Sequence, residues 1–314
     1  MSAPKVAGIV LNYNGKDLTL QTLESLRGMS YPELDLFVVD NGSGDGSYAA
    51  VAAAYPEVEQ VRVLENRGVA NGLNVGVRYV IDRDYDYLLL LNNDIEVDPE
   101  MLSEMVTVSE GDETIGCVGP KAYYYWEREV IWSAGGRICF REAVTKERGM
   151  GEVDRGQYDR TQEVDYINGC AILVRRSVMA QVGLYDPLFY LAVEDADWCM
   201  RMRRHGYRSV YVHKAILWHM VSAGTGTYKP GRTFQTGRST AIFVRRYGSV
   251  GRWITFMLFL AAAIPWAFVR ELPGGNQGAA LAKLKGVLQG LRVPLTPPPA
   301  IDDARAARIG GSGG

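Results

Sequence analysis

Short apolar runs alternate with stretches of helical periodicity through the first hundred residues. Residues 6–11 (Val-Ala-Gly-Ile-Val-Leu) stop at Asn12-Tyr13-Asn14-Gly15. A helical pattern follows, with Leu18, Leu20, Leu23 and Leu26 on one side. A second run, 34–39, ends at Asp40-Asn41-Gly42-Ser43, and residues 47–55 read as a helix. A third strand is expected over 61–64, a third helix over 69–81, and a fourth strand over 87–91, ending at Asn92-Asn93-Asp94. Apolar runs separated by helices predict a largely parallel sheet covered on both faces. Ligands of such sheets sit outside the C-terminal strand ends. The polar clusters at 12–14, 40–45, 65–67 and 92–96 all fall at strand ends and should share one rim.

The pattern then loosens. Between about 115 and 174 the strand-like pieces are 130–134, 164–167 and 171–174, and the polar stretch 141–161 reads as a mobile loop. A helix is expected to start near Asp195 and to end at His205-Gly206, followed by a strand over 209–218 and a Gly/Ser/Thr-rich loop over 221–231. Residues 253–269 carry no charge. That run is shorter than the roughly 20 residues of a bilayer span, and Pro265 interrupts it. Its Trp253 and Trp266, with Arg245, Arg246 and Arg252 before it and Arg270 after it, suit a segment lying at a lipid interface; a helix packed on the catalytic domain is the competing reading. The stretch carrying Leu281, Leu284, Leu288 and Leu291 is amphipathic. The Pro-, Ala- and Gly-rich tail after Leu295 is expected to be disordered.

Composition removes several function classes. Among 314 residues, 47% are hydrophobic and 22% charged, so a substantial core is available. A net charge of -2 gives no excess of positive charge for nucleic acid. The four cysteines (Cys117, Cys139, Cys170, Cys199) are widely spaced, with no Cys-x-x-Cys pair for zinc or redox work. That fits reduced core thiols and a cytoplasmic setting, and no secretory signal pattern precedes the first strand.

Four places carry candidate chemistry. Asp40 closes a buried strand, where a carboxylate can accept from a nucleobase imide N–H or ribose hydroxyls; its bland alternative is turn chemistry. Asp94 follows a strand apolar enough to be central, and a carboxylate there can hold a divalent cation against phosphates. Asp98-Pro99-Glu100 is explained as a helix start, which leaves Asp94 without a structural reason. Glu194, Asp195 and Asp197 exceed what a helix N-terminus needs, and the apolar approach Phe189-Tyr190-Leu191 can raise a carboxylate pKa toward that of a general base. His219 ends a strand beside the polar loop, placed for metal or phosphate contact.

In order and spacing, "IVLNYNG", "VVDNGSGDGS", "ENRGVANGLNVGV", "LLLLNNDIEV", "NGCAILVRRSV", "VGLYDPLFYLAVEDADWCMRMRRHGY" and "WHMVSAGTG" together resemble the family 2 glycosyltransferases, particularly the rhamnosyltransferase-like members. The resemblance runs over about residues 4–247. It implies a GT-A fold, a mostly parallel sheet with helices on both faces. Its donor half would be about 1–115 and its acceptor half about 116–247, with C-terminal helices over 248–295 and a tail over 296–314. It implies an inverting transfer of one sugar to a hydroxyl of a lipid-linked or polysaccharide acceptor in cell-surface polysaccharide synthesis. The first donor implied is dTDP-rhamnose and the second a UDP-sugar.

Carried over by position, Asp195 would be the catalytic base. Asn12, Asp40, Asn66, Arg67 and Asn93 would serve the donor. Asp94 and His219 would hold Mg²⁺ or Mn²⁺. Glu194, Asp197 and Glu96 are the second-line acids. The first acid of the family's DxD-type motif is Asn92 here. The resemblance also implies a cytoplasmic protein peripherally attached to the inner face of the cell membrane. A catalytically inactive nucleotide-sugar binding module is the alternative, disfavoured by the presence of Asp94 and Asp195.

Overall fold

The apolar runs of the N-terminal third form the parallel part of one sheet. The computed structural model describes residues 2–141, 144–221 and 229–301. In chain order the first elements are β1 (Val6–Asn12), α1 (Lys16–Arg27), β2 (Leu34–Asn41), α2 (Ser47–Ala54), β3 (Glu59–Val63), α3 (Val69–Val80) and β4 (Tyr87–Asn92). Strands β3, β2, β1 and β4 lie side by side and parallel, with Asn12 level with Asp40 and Leu11 level with Asn92. The shared rim expected from the polar clusters therefore exists. Alternate β1 residues feed opposite layers: Ile9 and Leu11 meet α3, whereas Val6 and Val10 meet α1 and α2. Helix α3 approaches so closely that a Cβ on Gly76 would sit 2.4 Å from Ile9, and one on Gly72 2.5 Å from Leu11.

The middle of the chain is more regular than its composition suggests. It holds β5 (Ile95–Val97), α4 (Met101–Glu110), β6 (Ile115–Tyr124), β7 (Ile131–Ser133), β8 (Gly136–Ile138), β9 (Thr145–Glu147), β10 (Gln162–Val164), β11 (Ala171–Arg175) and α5 (Arg176–Val182). β6 is a ten-residue strand concealed in the sequence by Pro120 and Lys121. Proline cannot donate to a ladder. Its partner strand compensates with a register shift between Val212 and Ile216, immediately beside Pro120. Buried Lys121 is neutralised by Asp154 at 2.8 Å and Asp159 at 2.5 Å. Those two aspartates belong to the stretch expected to be a mobile loop. That stretch instead contributes β9 and is laced to the sheet by Ala134 N–H to Arg148 O and Ile131 N–H to Glu152 O. Its residues 142–143 lie outside the described chain.

The C-terminal part comprises α6 (Glu194–Arg204), β12 (Arg208–His219), α7 (Pro230–Tyr247), α8 (Val250–Arg270) and α9 (Gln277–Arg292). The sheet order is β10-β12-β6-β11-β4-β1-β2-β3, with β5 on β12 and β7 on β6. β11 is antiparallel to both β4 and β6, whereas β12 is parallel to β6, so the sheet is mixed but mostly parallel. The loop expected over 221–231 lies outside the described residues at 222–228, and α7 begins at Pro230.

The expected 248–295 extension is not set apart from the rest. α9 returns onto α7 at backbone distance: a Cβ on Gly286 would meet Phe234 O at 2.0 Å, and one on Gly290 would meet Arg238 O at 2.4 Å. α8 continues through Pro265. The tail is also ordered as far as it is described, because Leu184 N–H donates to Pro299 O and Ile301 is buried. Residues 302–314 lie outside the described chain.

Asp197, on α6, is fully buried and joins these helices. It accepts from Arg201 Nε (3.0 Å), Arg246 Nη1 (2.7 Å) and the Tyr247 hydroxyl (2.8 Å). Removing one partner of such a cluster strands the others without compensation. Asp197→Ala is expected to cost about 3–5 kcal/mol of stability, measured by urea titration. A loss below about 1 kcal/mol, the range of exposed pairs, would show that the cluster does not hold the helices.

Candidate active site

The C-terminal ends of β4 and β12 and the N-terminal end of the antiparallel β11 open into a cavity of about 460 Å³. Asp195 and Glu194, in the first turn of α6, line it together with His219 from the end of β12. Glu147 lines it from β9, and Arg232 of α7 and Lys283 of α9 bring positive charge. Sequence reasoning missed these last three. Glu147 was hidden in a stretch read as loop, and the two cations lie in helices whose return to the site depends on tertiary packing.

The turn into α6 is strained. Ala192 and Val193 have φ of 66° and 72°, a left-handed conformation unfavourable for a β-branched residue. α7 clamps this approach, with Ser239 Oγ donating to Leu191 O (3.0 Å) and Arg238 Nη1 to Leu188 O (2.5 Å). The Asp195 carboxylate is thereby held between two backbone donors, Ala196 N–H (2.7 Å) and Gly169 N–H (3.0 Å). Burial first, and then the nearby Glu147 charge, raise the Asp195 pKa above the usual carboxylate range. Burial and the Asp195 charge raise that of Glu194, whose Oε2 has no partner among the described residues. Glu147 is raised by burial and eased down by donors from Ser133, Tyr166 and Asn168.

Asp94 Oδ1 lies 3.0 Å from His219 Nε2. Adjacent ligands of an octahedral ion bound at about 2.1 Å stand about 3 Å apart, so the pair has the spacing of one edge of such a shell. His219 Nδ1 is buried without a partner among the described residues, and its ring packs edge-on against Trp132 at 4.4 Å. No cluster of three or more His, Cys, Asp or Glu suited to a metal occurs among the described residues. Asp94 and His219 thus fit a cation that takes its remaining ligands from water and phosphate, as Mg²⁺ and Mn²⁺ do.

The residues expected at the donor end divide in two. Asp40 is fully buried; Oδ1 accepts from Ser43 N–H (2.7 Å), and Oδ2 has no partner among the described residues. The fold leaves this acceptor unused beneath the rim, where Asp40 is wholly buried and does not line the cavity. The asparagine side chains are committed to the fold instead. Asn12 Oδ1 accepts from Gly15 N–H, Thr19 Oγ1 and Asn93 Nδ2, while its amide donates to Ser43 and Ser47. Asn93 Nδ2 also donates to Thr19, and Asn66 Oδ1 accepts from Asn41 and Gly68. Asn12, Asn66 and Asn93 therefore shape the rim more than they offer side-chain groups to a ligand. Arg67 is exposed beside them. The second-line acids also separate. Glu194 faces the cavity, Asp197 is consumed by Arg201 and Arg246, and Glu96 pairs with Arg128 at 2.8 Å, away from the cavity lining.

A family profile described as glycosyl transferase family 2 matches residues 9–183. The chain belongs to that family. Among curated proteins it is 23% identical over 264 residues to poly-beta-1,6-N-acetyl-D-glucosamine synthase of Staphylococcus aureus, covering 82% of this chain and 61% of that one. It is 24% identical over 203 residues to the low-salt glycan biosynthesis hexosyltransferase Agl10 of Haloferax volcanii, covering 62% of this chain and 61% of that one. An uncharacterized protein y4gI of Sinorhizobium fredii is 28% identical, with 71% of this chain and 25% of that one covered. The chain thus spans between a quarter and about three fifths of the length of these relatives.

Two solved structures share the fold. GalNAc-T7 with UDP, GalNAc and Mn²⁺ has a TM-score of 0.61 at 15% identity, covering 77% of this chain and 48% of that one. The mannosyltransferase PcManGT of Pyrobaculum calidifontis with GDP-Man and Mn²⁺ has a TM-score of 0.57 at 17% identity, covering 99% and 81%. The fold is GT-A.

The raised Glu194 pKa has a consequence for stability. The folded chain holds this proton more tightly than the unfolded chain does. Between the unfolded and the raised folded values the native state carries more protons, so stability falls as pH rises through that window. Glu194→Gln abolishes this loss. The variant is expected to match the wild type at about pH 4 and to exceed it by roughly 1–3 kcal/mol at about pH 9. Denaturant titrations at the two pH values check this; an unchanged difference between them would mean that the buried carboxyl titrates as it does in water.

Proposed function

We propose that the chain transfers one sugar from a nucleoside diphosphate donor to a hydroxyl of a glycan or lipid-linked acceptor, with inversion, in cell-surface polysaccharide synthesis. The observation that carries this reading is Asp195, a buried carboxylate of raised pKa in the cavity that also contains His219. The names of the curated relatives, a polysaccharide synthase and a glycan hexosyltransferase, support the acceptor class. The resemblance favours dTDP-rhamnose as donor over a UDP-sugar.

Asp195 takes the proton of the acceptor hydroxyl as it attacks the anomeric carbon from the face opposite the leaving diphosphate. Its raised proton affinity suits a base working near neutral pH. Asp40 accepts from the base or ribose through its unpartnered Oδ2. Asp94 and His219 would hold Mg²⁺ or Mn²⁺, which when bound neutralises charge on the departing diphosphate. Arg232, its own charge disfavoured by burial, and Lys283 add positive charge to the same cavity.

Asp195→Asn keeps shape and removes basicity. Turnover, read as nucleoside diphosphate release over a panel of nucleotide sugars, is expected to fall by roughly 100-fold or more with donor affinity little changed. Near wild-type turnover would exclude Asp195 as the base.

The membrane assignment rests on α8. It is 21 residues long, with a mean hydropathy of 1.6 over its most apolar 18 residues, long and apolar enough to cross a membrane. Phe256 and Leu260 pack inward, but Val250, Leu258, Trp266 and Val269 are at least 59% exposed. Together with Arg245, Arg246, Arg252 and Arg270, this outer face suits an interface with anionic lipid. The full chain is expected to float with vesicles containing anionic lipid, and Leu258→Glu combined with Trp266→Glu to abolish flotation. Full recovery of the wild type in the lipid-free fraction would remove the membrane from this reading.

A further inference from the structure

Glu147 is a buried carboxylate that the mechanism above leaves unused. It sits in β9, opposite Gly136 of β8, and lines the cavity. Its Oε2 accepts from Ser133 Oγ (2.5 Å); its Oε1 accepts from the Tyr166 hydroxyl (2.5 Å) and from Asn168 Nδ2 (3.0 Å). These donors are neutral. An ionised carboxylate is costly to bury without a cation, and a well-packed apolar side chain commonly serves a core better. Packing alone therefore does not account for an acid at this position.

Its bonds lead to Asp195. Asn168 Nδ2 is held by Glu147, and Asn168 Oδ1 accepts from Cys170 N–H (3.0 Å), which closes a tight turn over 168–170. Gly169, at the centre of that turn, donates to Asp195 Oδ2 (3.0 Å). The far end of the turn is tied to the metal-side rim by Asn92 N–H to Cys170 O (3.0 Å). The site for the Tyr166 ring is prepared as well, since any Cβ on Gly136 would overlap it at 2.1 Å.

We propose that Glu147 is a positioning residue for Asp195: through Asn168 it fixes the turn whose Gly169 N–H aims the Asp195 carboxylate into the cavity. The proposal rests on the reading of Asp195 as base for its effect on turnover, but not for the geometry itself. Glu147 also acts through space, because a second negative charge raises the proton affinity of Asp195. The other titratable groups around the cavity are Glu194 on α6, Tyr166 and Tyr185 from the loops, His219 on β12, Arg232 on α7 and Lys283 on α9.

Two variants of the full chain separate the roles. Glu147→Gln keeps an oxygen for Tyr166 and Asn168 but loses the charge; Glu147→Ala loses both. In Glu147→Ala, hydrogen exchange at the Gly169 amide is expected to accelerate tenfold or more while the bulk of the chain stays protected, and in Glu147→Gln to remain near wild type. With whichever nucleotide sugar of the panel the wild type consumes, Glu147→Ala is expected to lower kcat about tenfold or more with donor KM within about threefold. Glu147→Gln should recover most of kcat, with the acidic limb of its pH profile moved to lower pH. Unchanged Gly169 exchange in a folded Glu147→Ala overturns the proposal whatever the reaction is. Altered exchange with unaltered kcat would keep the geometry and overturn Asp195 as base. A Gln variant as inactive as the Ala variant with its limb unmoved would overturn positioning in favour of direct contact with substrate.

Discussion

Asp197 and the arginines around it are the constraint on which the active half of the molecule depends. Arg246, from α7, reaches both Asp197 and Asp186, and Arg201 spends its remaining donors on Val182 O and Leu184 O. These bonds fix α6 against the loop that precedes it and α7 against both. The left-handed pair Ala192-Val193 persists because this frame, together with the clamp from Ser239 and Arg238, leaves it no relaxed alternative. Position and proton affinity of Asp195 follow from that frame. Burial of the two neighbouring carboxyls, Glu194 and Asp195, raises the proton affinity of both, and Glu194 Oε2 is left without a partner among the described residues.

Much of this was readable from residue patterns, for identifiable reasons. Strands β1, β2 and β4 are covered on both faces, so their runs are continuously apolar and stand out. A parallel arrangement then places Asp40 and Asp94 on one rim, whereas His219 joins that side only because the antiparallel β11 turns β6 and β12 back into the direction of β4. β6 and β9 were not legible. β6 contains Pro120 and a lysine whose burial is explained only by aspartates more than thirty positions away. β9 is three residues long and carries Glu147 between a lysine and an arginine, so local composition reads as exposed.

The site itself was legible to the extent that single residues announce chemistry. The sequence singled out Asp195, Asp94 and His219, and the structure sets Asp195 and His219 on one cavity with Asp94 against His219. It singled out Asn12, Asn66 and Asn93 too, but their side chains satisfy backbone, amide and hydroxyl groups of the rim. Asparagine at a strand end is equally suited to binding a ligand and to bracing a turn, and only the hydrogen bonds its side chain makes in the fold distinguish the two. Arg232, Lys283 and Glu147 needed the fold, because the helix return through Gly286 and Gly290 is a tertiary event without a local signature.

The sheet topology limits how the molecule can move. β11 is bonded on one side to β4 and on the other to β6, so one continuous sheet joins the N-terminal half of the chain to the C-terminal half. Rotating one half against the other would tear that sheet. A hinge of the kind that closes two-lobed proteins around their ligands has no place to sit here. The floor of the cavity is one continuous sheet, a fixed anvil beneath whatever binds above the strand ends.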